Sequence, residues 1–350
     1  MNCQIHTRYS RRARLPSRRQ VGLVRWCLAL TMLTVAANAQ VGDFRYKAKD
    51  GTITITKYIG SNTVVNIPGE IDGLPVTTIG SLAFDCQTRL TRITIPDSVN
   101  RIKVKAFYNC SSLTSLAIPK GVTSIEDEAF SVCRSLTQIT LPDYATHLGV
   151  AVFLACDSLT NIILPNGITT IEDWSFLNCS RLASITIPDS VTNIGNEAFW
   201  GCCSLTSLII PEGVTRVQDY AFEGCSSLES LYFKGDAHVL GTSVFARANA
   251  ATVYYMPSTK GWTNVWGGRP AVLWNPQAQP NDGNFGPKSK GFGFTITGSS
   301  NLVIIIEAAT NLANPVWVPV STLTLTNGFS FFNDALWTNY PARFYRFRAP

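Results

Sequence analysis

The sequence predicts a mainly β fold, a solenoid of 23-residue units followed by a small all-β C-terminal domain. The unit at residues 106–128 reads A-F-Y-N-C-S-S-L-T-S-L-A-I-P-K-G-V-T-S-I-E-D-E, and the next unit begins directly after it. Three residue types recur at intervals of 23 without a slip: Phe84, Phe107, Phe130, Phe153, Phe176, Phe199, Phe222 and Phe245; Pro96, Pro119, Pro142, Pro165, Pro188 and Pro211; and Cys110, Cys133, Cys156, Cys179, Cys202 and Cys225. A fixed period of about 20–30 residues is typical of solenoids, in which each unit buries its apolar side by stacking on its neighbours.

Residues 1–39 are predicted to be a cleaved signal peptide. Seven arginines and no acidic residue accompany an apolar stretch at residues 26–37, and Ala37-Asn38-Ala39 matches a cleavage site after Ala39. The apolar stretch is too short to cross a bilayer as a permanent helix. We therefore expect a secreted or cell-surface protein with no transmembrane segment in the mature chain.

Loss of this leader changes the charge of the protein. The full chain carries a net charge of +6, and removal of the seven leader arginines lowers it to −1. The basic balance thus reflects the export signal, and no basic stripe with interleaved aromatic residues remains in the mature chain. The sequence therefore predicts no nucleic-acid partner.

Residues 40–83 are predicted to cap the N-terminal end of the solenoid. Ile53 and Ile55 alternate with threonines, Gly60-Ser61-Asn62 is typical of a turn, and apolar residues follow at 64–67. This pattern predicts a hairpin. A divergent cap is expected because the end of a solenoid exposes an apolar cross-section and unpaired strand edges.

The repeats at residues 84–233 predict two extended segments and one turn in each unit. The pattern L-x-x-I-x-I predicts a short strand with a threonine-rich outer face, and the proline after it ends the strand. A second apolar pair, such as Val99 and Ile102, predicts a further short extended segment. The residue three places before each recurring phenylalanine is a preferred N-cap in six of the eight units. The motif D-x-A-F-x-x-C is therefore predicted to be one helical turn with a buried phenylalanine.

The six cysteines in register are predicted to be reduced and buried at one corner of the solenoid. Cysteines in one column of a stack lie about one strand spacing apart, but their side chains run parallel and do not point toward one another. A small buried thiol is therefore favoured over a disulfide framework. The pattern leaves the state of Cys86 and Cys203, which lie outside this column, open.

The repeated phrase C-S-S-L-T-S-L-x-I-P-x-G-V-T-S-I-x-D-x-A-F resembles the BspA-type leucine-rich repeat of bacterial surface proteins, over about residues 60–275. The resemblance implies a right-handed solenoid with parallel strands lining one face. It also implies a role in binding proteins or surfaces, as an adhesin does, and not in catalysis. It implies no particular ligand, because a repeat scaffold fixes shape and not partner.

The period fails after Phe245, where a C-terminal cap is predicted at residues 234–274, followed by a linker at 275–283. Residues 284–350 contain short β patterns separated by Gly, Asn and Pro turns, which predict a small β-sandwich-like module. The phrases E-A-A-T-N-L-A-N-P-V-W-V-P-V and W-T-N-Y-P-A-R-F-Y-R-F-R-A-P resemble a module that ends many secreted proteins of verrucomicrobial-type bacteria. That resemblance is compatible with surface attachment or adhesion.

The sequence predicts no catalytic, cofactor or metal site, and so no enzyme. The mature chain has two histidines, and His147 occupies a column expected to face solvent, together with Arg101, Ser124, Thr170, Asn193 and Arg216. No Ser/His/Asp, Cys/His or metal-binding spacing can be built around it. Aspartates recur at Asp127 and Asp173, but Val150 interrupts their column. Capping tolerates such an interruption, whereas a metal ladder does not.

We therefore predict a monomeric, non-catalytic scaffold that binds a protein or glycan at the cell surface or outside the cell. A structural or self-assembling envelope component without a dedicated ligand is the alternative, and an enzyme ranks third. Alternation places Ile163, Ile209 and Tyr232 outward on the strand-lined face. This apolar column is the predicted partner-binding face, because large apolar and aromatic residues dominate interface energies.

Overall fold

The Ile- and Leu-rich segments of the repeats form two ladders of short strands in the computed structural model, which describes residues 38–350. The first ladder contains β4 (Val64–Asn66), β7 (Arg92–Thr94), β9 (Ser115–Ala117), β11 (Gln138–Thr140), β13 (Asn161–Ile163), β15 (Ser184–Thr186), β17 (Ser207–Ile210), β19 (Ser230–Phe233), β21 (Thr252–Tyr255) and β23 (Arg269–Leu273). The second contains β6 (Leu74–Ile79), β8 (Arg101–Ile102), β10 (Ser124–Ile125), β12 (His147–Leu148), β14 (Thr170–Ile171), β16 (Asn193–Ile194), β18 (Arg216–Val217) and β20 (Val239–Leu240). Their pairs are parallel, with equivalent residues of successive units opposite one another, as Leu116 is opposite Ile139. The predicted solenoid is confirmed.

The recurring phenylalanines form a continuous stack through the middle of the solenoid. Successive rings from Phe84 to Phe245 lie 5.1–5.8 Å apart between centroids and within 21° of parallel. All eight rings are buried. Tyr58 stacks on the first ring and Trp266 packs against the last, so both ends of the column are covered by aromatic residues.

The segment around each phenylalanine is not the predicted helical turn. In residues 38–350 there is no α-helix, and each unit instead makes tight turns with two residues at positive φ, such as Lys105 and Asn109. Left-handed residues point successive N–H groups toward the neighbouring unit, so the N–H of Phe107 donates to the carbonyl of Ala129. Asp127 caps the next unit instead of its own, because its Oδ1 accepts from the N–H of Val150 at 2.9 Å.

The six cysteines in register are free and buried, as predicted. Each also makes a contact that the sequence did not indicate, because its Sγ donates to the carbonyl oxygen of the phenylalanine in the preceding unit at 3.1–3.3 Å. Burial raises the pKa of Cys133, Cys179 and Cys225 to about 12. Cys86 and Cys203 are also free but exposed.

The N-terminal cap is an antiparallel sheet that continues the second ladder. Its strands are β1 (Asn38–Val41), β2 (Phe44–Lys49), β3 (Thr52–Tyr58) and the short β5 (Glu70–Ile71). Strand β3 pairs in parallel with β6, which joins the cap to the repeats. The hairpin turn lies at Asp50-Gly51 and not at the predicted residues 60–62, because β4 leaves the cap and pairs with β7 of the first ladder.

The C-terminal end of the solenoid is closed by tryptophans. Strand β22 (Val265–Trp266) pairs with β23, and Trp262 and Trp266 pack on Phe233 with ring centroids 5.3 and 4.7 Å apart. Only three residues, Trp274, Asn275 and Pro276, separate β23 from the next strand. The predicted linker at 275–283 is therefore wrong in part, because residues 277–279 form a strand of the C-terminal module.

The C-terminal module consists of two antiparallel sheets that share one apolar core. One sheet contains β24 (Gln277–Gln279), β25 (Gly286–Lys288), β26 (Gly291–Thr297) and β29 (Phe329–Asp334), and the other contains β27 (Val303–Ala309), β28 (Val318–Thr324) and β30 (Phe344–Arg348). A single 3₁₀ turn, Trp337–Asn339, is the one helical element within residues 38–350. Buried Glu307 accepts hydrogen bonds from Arg346 and Arg348, which holds its pKa below its ordinary value despite the opposing effect of burial.

Almost all of the predicted signal peptide lies outside the described residues. Of its 39 positions, the structure describes only Asn38 and Ala39, which belong to β1, and Ala39 pairs with Tyr46 of β2. Among residues 38–350, no helix has the length and apolar character that crossing a bilayer requires.

Candidate binding surface

The outward side of the first ladder, here called the strand face, is a regular surface of the solenoid. In each unit the middle residue of the strand is turned toward the core, while its two neighbours point outward. The outward column that includes the predicted site residues runs through Thr94, Ala117, Thr140, Ile163, Thr186, Ile209, Tyr232, Tyr254 and Val272. The structure therefore places Ile163, Ile209 and Tyr232 in one column, as the alternation indicated.

Burial divides this column into two halves. From Thr94 to Thr186 every member is exposed, and Ile163 has 74% of its surface accessible. Ile209 is half-buried, and Tyr232 is only 1% exposed. The expectation that Tyr232 faces solvent is therefore wrong, and Ile209 is only partly available. Of the three predicted site residues, Ile163 alone is fully open.

The cover over the second half of the strand face is the C-terminal module. Tyr232 and Tyr254 stack on each other at 5.1 Å and belong to the same apolar cluster as Phe294, Ile304 and Phe332 of the module. Ile209 and Val272 pack at the margin of this cluster. Burial raises the pKa of Tyr232 to about 12, which agrees with a phenol removed from water. The apolar column thus binds a segment of its own chain.

The open half of the strand face forms a shallow groove over the first three repeats, with a volume of about 1040 Å³. Its floor is the outward column at Thr94, Ala117 and Thr140, beside Ser115 and Gln138. Within this floor, Ser115 and Ala117 of β9 pair directly with Gln138 and Thr140 of β11. We name this surface, with its charged rim, the N-terminal groove.

Charges of both signs line the N-terminal groove. Arg92 and Lys120 contribute positive charge, and Asp97 and Asp143 contribute negative charge; all four side chains are exposed. None of the residues lining the groove is aromatic. A mixed-charge, hydroxyl-rich and flat surface suits a polar protein surface, because rim charges steer encounter and set orientation.

Titratable side chains elsewhere in the described residues form ion pairs, such as Glu307 with Arg346 and Arg348. No group of three or more His, Cys, Asp or Glu side chains with metal-binding geometry is present in residues 38–350. His147 lies exposed in β12, and His238 packs against Phe233, where burial lowers its pKa. Burial also raises the pKa of Glu172, against the opposing charge of His147. Burial is the largest cause of both of these shifts.

A family model for the BspA type leucine rich repeat region matches six copies in the chain, over residues 77–202 and 146–264. Together these matches span more than half of the chain. They cover the first three repeats, which carry the N-terminal groove, and also the repeats whose strand face is covered. A comparison with curated protein sequences gives no match.

Solved structures with leucine-rich repeats are also similar to this chain. A leucine rich repeat protein of T. pallidum is 31% identical, with 61% of this chain and 91% of that chain covered and a TM-score of 0.47. A leucine rich cell surface protein of Faecalibacterium prausnitzii is 28% identical, with coverage of 62% and 76% and a TM-score of 0.48. A leucine-rich repeat protein of Bacteroides ovatus is 26% identical, with coverage of 63% and 71% and a TM-score of 0.41.

Proposed function

The chain belongs to the BspA-type leucine-rich repeat family, and from this premise we propose that it is a non-catalytic binding protein, exported to the cell surface or the medium, whose N-terminal groove holds a protein partner. The observation that carries the proposal is the division of the strand face. The module covers its second half, and the groove over the first three repeats stays open. A solenoid offers such a face as one continuous surface to a partner.

A protein is the partner that the groove favours over a glycan. Sugar rings bind best where an aromatic side chain offers a flat apolar platform, and the groove lining includes none. The charges of both signs and the central hydroxyl and amide groups match the polar, charged rim of a transient protein interface. Exposed Ile163, in the unit that follows the groove, would supply an apolar contact.

Export and surface location are part of the proposal. They are supported by the basic leader with its A-x-A site and by the likeness to a cell surface protein of Faecalibacterium prausnitzii. The resemblance of the C-terminal phrases to a module of secreted proteins agrees with this location. The six buried cysteines should stay unpaired whatever the redox state of the compartment. Burial raises their pKa values and keeps their thiols away from disulfide exchange.

The proposal is tested by blocking the groove without disturbing the core. Ala117 is exposed in the middle of the groove floor, so Ala117→Arg should fill the groove while the strand pairing stays intact. Mature wild-type chain is immobilised and used to capture extracellular proteins, and the affinity of the captured protein is then measured for each variant. We expect Ala117→Arg to weaken binding by about tenfold or more.

The matched control is Thr123→Arg, an exposed position six residues further along the same unit that does not line the groove. It introduces the same side chain and the same charge and should leave the affinity unchanged. Equal loss in both variants would show that the added charge is responsible and not the groove. Unchanged binding by Ala117→Arg would place the partner site elsewhere.

A further inference from the structure

The outer face of one sheet in the C-terminal module carries two exposed phenylalanines that its core does not use. Strand β29 alternates, so that Phe332 and Asp334 are buried while Phe329 and Phe331 point outward. Phe329 is 59% exposed and Phe331 is 47% exposed. The inner rings, such as Phe294 and Phe332, pack against one another at 5.0 Å, but the two outer rings have no aromatic stacking partner among the described residues.

The strand register builds rows of amide and hydroxyl groups beside these rings. Thr297 lies between Phe329 and Gln277, and Thr295 lies between Phe331 and Gln279. Alternation puts all six of these side chains on the outer face, because Ala278, Ile296 and Phe332 point the other way into the core. The two rows contain no charged residue. This surface, Gln277, Gln279, Thr295, Thr297, Phe329 and Phe331, is named the outer amide face.

A glycine allows the Phe331 ring to lie across the sheet. A Cβ added at Gly293 would come within 2.5 Å of Cζ of Phe331, so the ring rests over the glycine backbone. Its opposite side is directed to solvent. The hydrogen bonds around the ring are already organised, because Gln279 donates to Oγ1 of Thr297 at 2.6 Å and Asn284 donates to Oγ1 of Thr295 at 3.1 Å.

We propose that the outer amide face is a second binding site and that its ligand is a neutral polysaccharide. A pyranose ring offers an apolar C–H side and a perimeter of hydroxyls, which match a flat phenylalanine ring surrounded by amide and hydroxyl groups. The two rows contain no cation that could offset the desolvation of an anionic polysaccharide. The nearest charge is the carboxylate of Asp282, which accepts from the Asn284 amide beside Thr295, so the surface favours an uncharged chain. The Phe331 ring is already held over Gly293, so little conformational entropy of this side chain is lost on binding.

The test uses the complete mature chain, residues 40–350, and five neutral polysaccharides as probes. Retention is measured by sedimentation with microcrystalline cellulose and chitin, and by affinity electrophoresis in hydroxyethylcellulose, xyloglucan and galactomannan. We expect retention on at least one of these probes that is unchanged by about 0.5 M salt. Phe331→Ala and Phe329→Ala should each weaken it by about tenfold.

Phe344→Ala is the matched control, because Phe344 is an exposed phenylalanine on the other sheet of the module. It should bind like the wild type, and all three variants should unfold at the wild-type temperature. Ala117→Arg should also bind polysaccharide normally, which separates this site from the N-terminal groove. Retention on none of the five probes, equal retention by Phe331→Ala, or retention on phenyl-agarose alone would overturn the proposal.

Discussion

Replacement of one phenylalanine inside the solenoid should destabilise the whole stack. Phe176 is buried and lies between two rings, 5.6 Å from Phe153 and 5.4 Å from Phe199. Burial of the side chain contributes about 1.5–3 kcal/mol. Each aromatic pair adds about 0.5–1.5 kcal/mol. Phe176→Ala should therefore lower the free energy of unfolding by about 4 kcal/mol, within the range of about 3–5 kcal/mol for such changes.

Denaturant unfolding followed by tryptophan fluorescence measures this loss. Tyr144→Ala is the control, because Tyr144 is an aromatic residue of the same solenoid that is 74% exposed. Its removal should change the free energy of unfolding by less than about 0.5 kcal/mol. A loss below about 1 kcal/mol for Phe176→Ala, with an unchanged denaturant dependence, would refute the stacked-core explanation.

Three further outcomes follow from the packing of the repeats. Thiol titration of the folded mature chain, residues 40–350, should detect Cys86 and Cys203, and denaturant should make six more thiols reactive. Since burial raises the pKa of Cys133 to about 12, stability present below about pH 9 should be lost as pH rises toward 12. Over this pH range, Cys133→Ala should reduce the fall in the free energy of unfolding by about 1.4 kcal/mol per pH unit. Gly195→Ala should destabilise the solenoid, because the added Cβ would lie 2.6 Å from the backbone N of Asp173. Gly121→Ala should be tolerated, because its nearest contacts lie at 3.4 Å. Equal stability of the two variants would contradict this packing.

The period of 23 residues predicted the features that depend on stacking. Equivalent positions meet in every unit, so the phenylalanine column, the buried cysteines and the strands ended by proline all follow from the sequence. The turn was mispredicted because aspartate satisfies N–H groups equally well within a helix and across two units. A signal for the left-handed turns was present in the column that contains Asn109, Asn178, Gly201 and Gly224, since Asn and Gly tolerate positive φ.

The repeat pattern does not predict that half of the strand face is covered. Alternation sets which side of a strand Tyr232 occupies, but it carries no information about what else lies on that side. The contact with Phe294 joins residues about sixty positions apart that share no local pattern. The strand at 277–279 was missed for a related reason, because its outward Gln277 and Gln279 give it the polar composition of a linker.

Hydroxyl-radical footprinting of the mature chain tests most directly whether the C-terminal module covers the strand face. Tyrosines of one protein provide matched chemistry, so their oxidation rates compare exposure alone. The structure predicts rapid oxidation of Tyr144, which is 74% exposed, and at least about tenfold slower oxidation of Tyr232, which is 1% exposed. Oxidation of Tyr232 at the rate of Tyr144 would contradict the account, because the whole strand face would then be open to a partner.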